Sequence, residues 1–188
     1  MIRYFLYFIT IITILTFAGS CGSTAKLYPY DDKNRTIVGQ LSDSEFIALK
    51  QYLIATTKSN LKDTIIIKYD FNNETCWERL DQREDENIMG FVKRHQEAVK
   101  HVLDTRKNVS AFDFREPGDN LNKIKMWDNS IIIDSSMQLF NLFFKFRSNC
   151  GNSIIVMPDK KFVYIHSDPH SEILYLTQKQ IENILNAK

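Results

Sequence analysis

This sequence predicts an α/β fold: a mixed sheet flanked by helices and completed by a C-terminal β-hairpin and helix. Three observations carry that reading. Apolar residues at helical spacing alternate along the chain with β-branched runs, two capping boxes open helices far apart in sequence, and a Pro-Asp pair separates the last two β-branched runs. Alternation of this kind implies parallel strands joined by right-handed crossovers, with helices covering the sheet.

The chain opens on Arg3 and the apolar run "YFLYFITIITILTFA", then Gly19 and Ser20 before Cys21. A basic start, a short apolar core and small residues make up a signal peptide. The tract "AGSC" resembles the end of a bacterial lipoprotein signal, with Ala18 where such signals usually carry Leu. Over residues 1–21 the resemblance implies loss of the signal peptide, residues 1–20, and diacylation of Cys21 as the first mature residue. Acyl chains contribute about 0.8 kcal/mol per buried methylene, so two or three of them hold a protein stably. The expected location is the bacterial cell envelope, as a membrane-anchored lipoprotein facing the periplasm or the exterior. An uncleaved anchor and an ordinary secretory signal are the alternatives, and both leave the domain on the same side of the membrane.

Residues 22–40 show no sustained period, so residues 21–40 read as a tether and residues 41–188 as the domain. "SDSE" supplies Ser42 as an N-cap with Glu45 three residues on, a capping box that satisfies two orphan backbone donors. The helix it opens buries Phe46, Leu49 and Leu53 and ends near Thr57. "TIIIKYDF", residues 64–71, suits a strand covered on both faces. A helical stripe from Ile88 runs through Phe91, Val92, Val99, Val102 and Leu103. "NVSAFDF", residues 108–114, is the next strand, and Asp119 caps a short helix carrying Leu121 and Ile124. "SIIID", residues 130–134, is a third strand, and "MQLFNLFFKF" a short core helix. In "SIIVMPDKKFVYI", residues 153–165, Pro158 and Asp159 turn one β-branched run back on another. Thr177 and Gln180 form the second capping box, opening a helix that buries Ile181, Ile184 and Leu185.

Lys and Arg number 24 against 23 Asp and Glu, and Arg3 leaves with the signal, so the mature domain is formally neutral. Such a chain lacks the field that gathers polyanions, which argues against a nucleic-acid partner. With Cys21 acylated, Cys76 and Cys150 remain, in a compartment where disulfides persist. Either they pair or one is a reactive thiol.

The element order resembles the thioredoxin-like fold, as found in envelope-anchored thioredoxin and peroxiredoxin relatives. There a hydrophobic strand ends in an aspartate and an aromatic residue, and a Cys-x-x-Cys motif opens the next helix. Asp70 and Phe71 close such a strand here, and Cys76 falls at the first cysteine, but "CWER" puts Arg79 in place of the second. Asn152 and Ser153 stand where thioredoxins carry a cis-proline, which implies a trans peptide and a remodelled site. The resemblance covers roughly residues 60–187 and implies that Cys150, before the first hairpin strand, lies close to Cys76.

Two functions follow as expectations. One is a lipid-anchored, thioredoxin-like envelope module without dithiol chemistry, binding or assisting another envelope protein. The other is a single-thiol oxidoreductase in which Cys76 attacks a disulfide, Arg79 stabilises the thiolate and Cys150 resolves the product. A thiol at a helix N-terminus gains acidity from the dipole, while Glu74, Glu78 and Asp81 oppose a second anion. An inert, half-buried sulfur is the remaining alternative for Cys76. His166 and His170 in "HSDPH" have a spacing that can bind metal, but a loop is a weak frame, and the segment reads as solvated. The sequence implies no cofactor and no metal, and no "GxSxG" or "HExxH" appears.

Overall fold

The computed structural model describes residues 33–72, 74, 84–118 and 128–187. Six strands form one mixed sheet: β1 (Thr36–Gln40), β2 (Thr64–Asp70), β3 (Val109–Arg115), β4 (Ile132–Ile133), β5 (Asn152–Val156) and β6 (Lys161–Ile165). Their order is β1-β6-β5-β2-β3-β4. β3 runs parallel to β2 and β4, whereas β5 is antiparallel to β2 and β6, and β1 is antiparallel to β6. Among the described residues four helices cover the sheet: α1 (Asp43–Thr57), α2 (Asp85–Thr105), α3 (Gln138–Leu142) and α4 (Gln178–Asn186), with a 3-10 turn at Glu172–Tyr175.

Both predicted capping boxes are present, Ser42 with Glu45 and Thr177 with Gln180. The hairpin turns at Pro158 and Asp159 as expected. The segment read as a tether holds β1, an edge strand missed because it is five residues long with no clean alternation of burial. Gly39 makes that pairing possible, since a Cβ there would lie 2.5 Å from the Phe162 ring. The strand predicted over 130–134 shrinks to Ile132–Ile133. The helix expected from Ile88 starts at Asp85; Ile88, Val92 and Val102 are buried and Val99 packs beside Val102, while Phe91 and Leu103 on the outer side are exposed. The short helix expected around Leu121 and Ile124 lies outside the described residues.

Two apolar layers sandwich the sheet. One gathers Ile65, Ile67, Tyr69 and Phe71 with Leu49 and Leu53 of α1, Leu139 of α3 and Phe144. The other gathers Ile66, Ile155 and Val163 with Val102 of α2, Ile173 and Ile181. Asp134 locks the first layer: its carboxylate accepts from the Tyr52 and Tyr69 hydroxyls at 2.6 and 3.3 Å, and from the Gln138 and Phe140 N–H groups at 3.0 and 2.9 Å. It thereby satisfies the start of α3, where no side chain of the helix's own N-cap residue does so. Burial and the bond to Asp134 push the Tyr52 hydroxyl up to about 12.

Candidate functional site

Side chains alternate along β2, so Lys68 and Asp70 share the face of Ile66. The second apolar layer therefore stops at Ile66 and gives way to charge. In register with Lys68 lie Asp113 on the parallel side and Ser153 on the antiparallel side. This one rung, Ser153–Lys68–Asp113, sits toward the carboxyl ends of β2 and β3, where open α/β sheets characteristically hold ligands.

Above the rung is a pocket of about 380 Å³. Lys68, Asp70 and Asp113 come from the sheet, Phe91, Val92, Arg94 and His95 from α2, Asp128 and Ile131 from the segment before β4, and Pro169, His170, Ser171 and Tyr175 from the segment after β6. Phe91 and Tyr175 are exposed, and the Arg94 guanidinium lies over the Phe91 ring. The charged groups inside are fixed by partners. His95 Nε2 lies 2.8 Å from Asp113 Oδ2. Asp128 Oδ1 accepts from Gln96 at 3.1 Å and from the Ser130 N–H at 2.9 Å. Lys68 Nζ stands 3.7 Å from Asp70 Oδ1.

Burial and neighbouring charges shift three side chains at and beside this rung. Burial pulls Lys68 toward its neutral form, yet Asp70, Asp113, Glu74 and Asp168 outweigh burial and raise it above the ordinary lysine value. The carboxylates around Lys68 thus favour its charged form. Burial, reinforced by the charge of Asp70, pushes Glu74 well above the ordinary carboxylate range against the Phe71 N–H and Lys68. Asp113 moves the other way: burial pushes it up, but its hydrogen bond to His95 and the charge of Lys68 prevail and lower it below the ordinary carboxylate value.

The segment after β6 is buried, not solvated as "HSDPH" suggested. His166, Ser167 and Asp168 are all nearly inaccessible. Asp168 accepts from the Ser153 hydroxyl and from the N–H groups of Glu172 at 2.6 Å and Ile173 at 3.3 Å, which pins the 3-10 turn to the sheet. His170 is exposed at the pocket while His166 is buried. Among the described residues no group of His, Cys, Asp and Glu is arranged to hold a metal ion.

Cys21, Cys76 and Arg79 lie outside the described residues. Cys150 is buried. Gly151, next to it, sits tightly against the end of β2: a Cβ there would lie 2.2 Å from Asp70 Oδ1 and 2.8 Å from the Tyr69 carbonyl oxygen. Asn152 and Ser153 have structural work instead of a proline's. Asn152 Nδ2 donates to the Phe146 carbonyl at 2.8 Å and the Tyr164 hydroxyl at 2.7 Å, and Ser153 carries Asp168. No peptide bond among the described residues is cis.

Sequence reasoning missed Lys68, His95, Asp113 and Ser171 as one group. A usable signal existed for two of them: "IIIKYD" and "AFDF" each place a charge inside a strand expected to be covered. No protein-family model, curated protein or solved structure matches the chain. No helix among the described residues is long and apolar enough to cross a membrane.

Proposed function

We propose that this chain is a lipid-anchored cell-envelope protein of thioredoxin-like architecture, tethered through Cys21, that acts as a binding module and presents its ligand to an envelope partner. The observation that carries the binding role is the pocket of about 380 Å³ over the Ser153–Lys68–Asp113 rung. Its walls select by charge and shape. Asp70, Asp113 and Asp128 line it beside Lys68 and Arg94, and exposed Phe91 and Tyr175 flank them. An organic cation with an apolar body suits that combination, its charge against the carboxylates and its body against the aromatic rings.

The thioredoxin-like reading is supported by the strand closed with Asp70 and Phe71, the parallel crossover through α2 to β3, and the antiparallel hairpin β5–β6 followed by α4. Calorimetric titration of the full chain in detergent tests the ligand. 2-Phenylethylammonium should bind and 3-phenylpropanoate should not, with Asp113→Asn weakening the cation. Equal binding of both, or of neither, would remove the cation reading.

The tight seat of Gly151, next to Cys150, against the end of β2 favours one alternative, the single-thiol oxidoreductase using Cys76 with Arg79 and Cys150. Thiol labelling across pH separates it from a pure binding role. Rapid modification of Cys76 well below the ordinary thiol value of about 8.5 supports the oxidoreductase, and labelling only after reduction supports a Cys76–Cys150 disulfide.

A further inference from the structure

We infer that Ser171, His95 and Asp113 form a nucleophile, a general base and its positioning carboxylate in the wall of this pocket, directed at carboxylic esters. The inference rests on the pocket being a ligand site and is independent of the thiols. Three separate elements bring the groups together: the segment after β6, helix α2 and strand β3. His95 Nε2 donates to the ionised Asp113 Oδ2 at 2.8 Å. In the neutral ring that fixes the tautomer, leaving a lone pair on Nδ1. Nδ1 faces Ser171 Oγ at 3.5 Å, a separation within the looser range found before substrate draws such groups together.

Ser171 is also unusual in its own right. It precedes the 3-10 turn in the N-cap position, yet its hydroxyl makes no capping bond, which leaves that oxygen for the imidazole. Its backbone is left-handed, with φ 53° and ψ 43°, a conformation uncommon for serine and concentrated at functional sites. The N–H groups of Glu172 and Ile173 are engaged by the Asp168 carboxylate and that of Ser171 by the Asp168 carbonyl. Charge developing on a substrate oxygen therefore falls to a different donor. Lys68 lines the same recess as Ser171 and Asp113, and its ammonium supplies the positive charge.

The chemistry balances as ester and water giving acid and alcohol. The Ser171 oxygen forms a bond to the ester carbonyl carbon while its proton passes to His95 Nδ1 and the carbonyl π pair moves onto oxygen. Collapse restores the carbonyl, breaks the bond to the leaving alkoxide and returns the proton from His95 to that alkoxide. Water then attacks the acyl-serine in the same way, giving its proton to His95, and Ser171 leaves with that proton as the acid departs. The acidic interior favours esters that carry a cation, such as those of amino acids.

The test is labelling of the full chain in detergent with an alkyl fluorophosphonate, the adduct mapped by peptide mass, beside hydrolysis of the p-nitrophenyl ester of phenylalanine. The expected result is an adduct on Ser171, absent from Ser171→Ala, with labelling slowed about 10²-fold or more by His95→Gln. Asp113→Asn should slow it too, and Asp113→Glu should recover part of the rate, a rescue that a merely structural role would not give. The relay is overturned if Ser171 stays unlabelled in protein that still binds 2-phenylethylammonium, or if His95→Gln labels at the wild-type rate. Labelling of Ser171 without binding of the cation would uphold the relay and refute only the charge preference of the pocket.

Discussion

Replacing Lys68 with methionine keeps an aliphatic stem in the sheet and removes the ammonium on which the charges of Asp70 and Asp113 act most. At an effective dielectric of about 20, the Lys68–Asp70 pair at 3.7 Å is worth roughly 4–5 kcal/mol before the desolvation of the charges is subtracted. The loss has a ceiling, because a stranded carboxyl can take up a proton. From an ordinary aspartate value of about 3.9, keeping one aspartate protonated costs about 4 kcal/mol at pH 7 and about 1.5 kcal/mol at pH 5. Lys68→Met should therefore destabilise by about 3–4 kcal/mol at pH 7, shrinking to about 1–1.5 kcal/mol at pH 5. The sign agrees with Asp113, whose folded value is lowered. Its contribution is present above the ordinary carboxylate value and is lost as pH falls through the folded value, so wild type and variant converge in acid. Urea unfolding followed by circular dichroism at both pH values measures this. A deficit of the same size at both would refute the electrostatic reasoning and assign the role of Lys68 to packing.

Three further outcomes are expected. Asp134→Ala strands the buried Tyr69 hydroxyl and the Phe140 N–H and should cost about 3–5 kcal/mol in urea unfolding, with a cost under about 1 kcal/mol counting against the lock. Gly151→Ala forces a Cβ onto Asp70 and the Tyr69 backbone and should cost about 1–3 kcal/mol, together with weaker 2-phenylethylammonium binding, whereas wild-type values for both would mean the strand end yields freely. Because the folded value of Glu74 is raised, the folded state holds its proton and wild type loses stability as pH climbs above the ordinary carboxylate value. Glu74→Gln should thus gain relative to wild type between pH 4 and pH 7, and a relative loss over that window would contradict the burial of this carboxyl.

Much of the fold was legible because its signals are local. Ser42 with Glu45 and Thr177 with Gln180 state where helices begin within four residues of chain, and "PDK" states a turn because proline and aspartate carry their own backbone preferences. β1 was not legible, since an edge strand of five residues owes its existence to β6 and to the room Gly39 leaves for Phe162. The solvated reading of "HSDPH" failed for a related reason. A polar run is solvated only if nothing distant satisfies it, and here Ser153, fifteen residues upstream, meets Asp168.

The sequence by itself determined the alternation of strands and helices, the hairpin and the two capping boxes. Periodicity and capping are properties of neighbours along the chain, and they need no tertiary partner to be read. Only the tertiary structure decided that Lys68 stands in register with Asp113, and that α2 lowers His95 onto that carboxylate while Asp168 holds the turn bearing Ser171 beside it. Register and crossover bring together residues far apart in sequence, and the pocket exists because the apolar layer ends there, at the carboxyl end of β2.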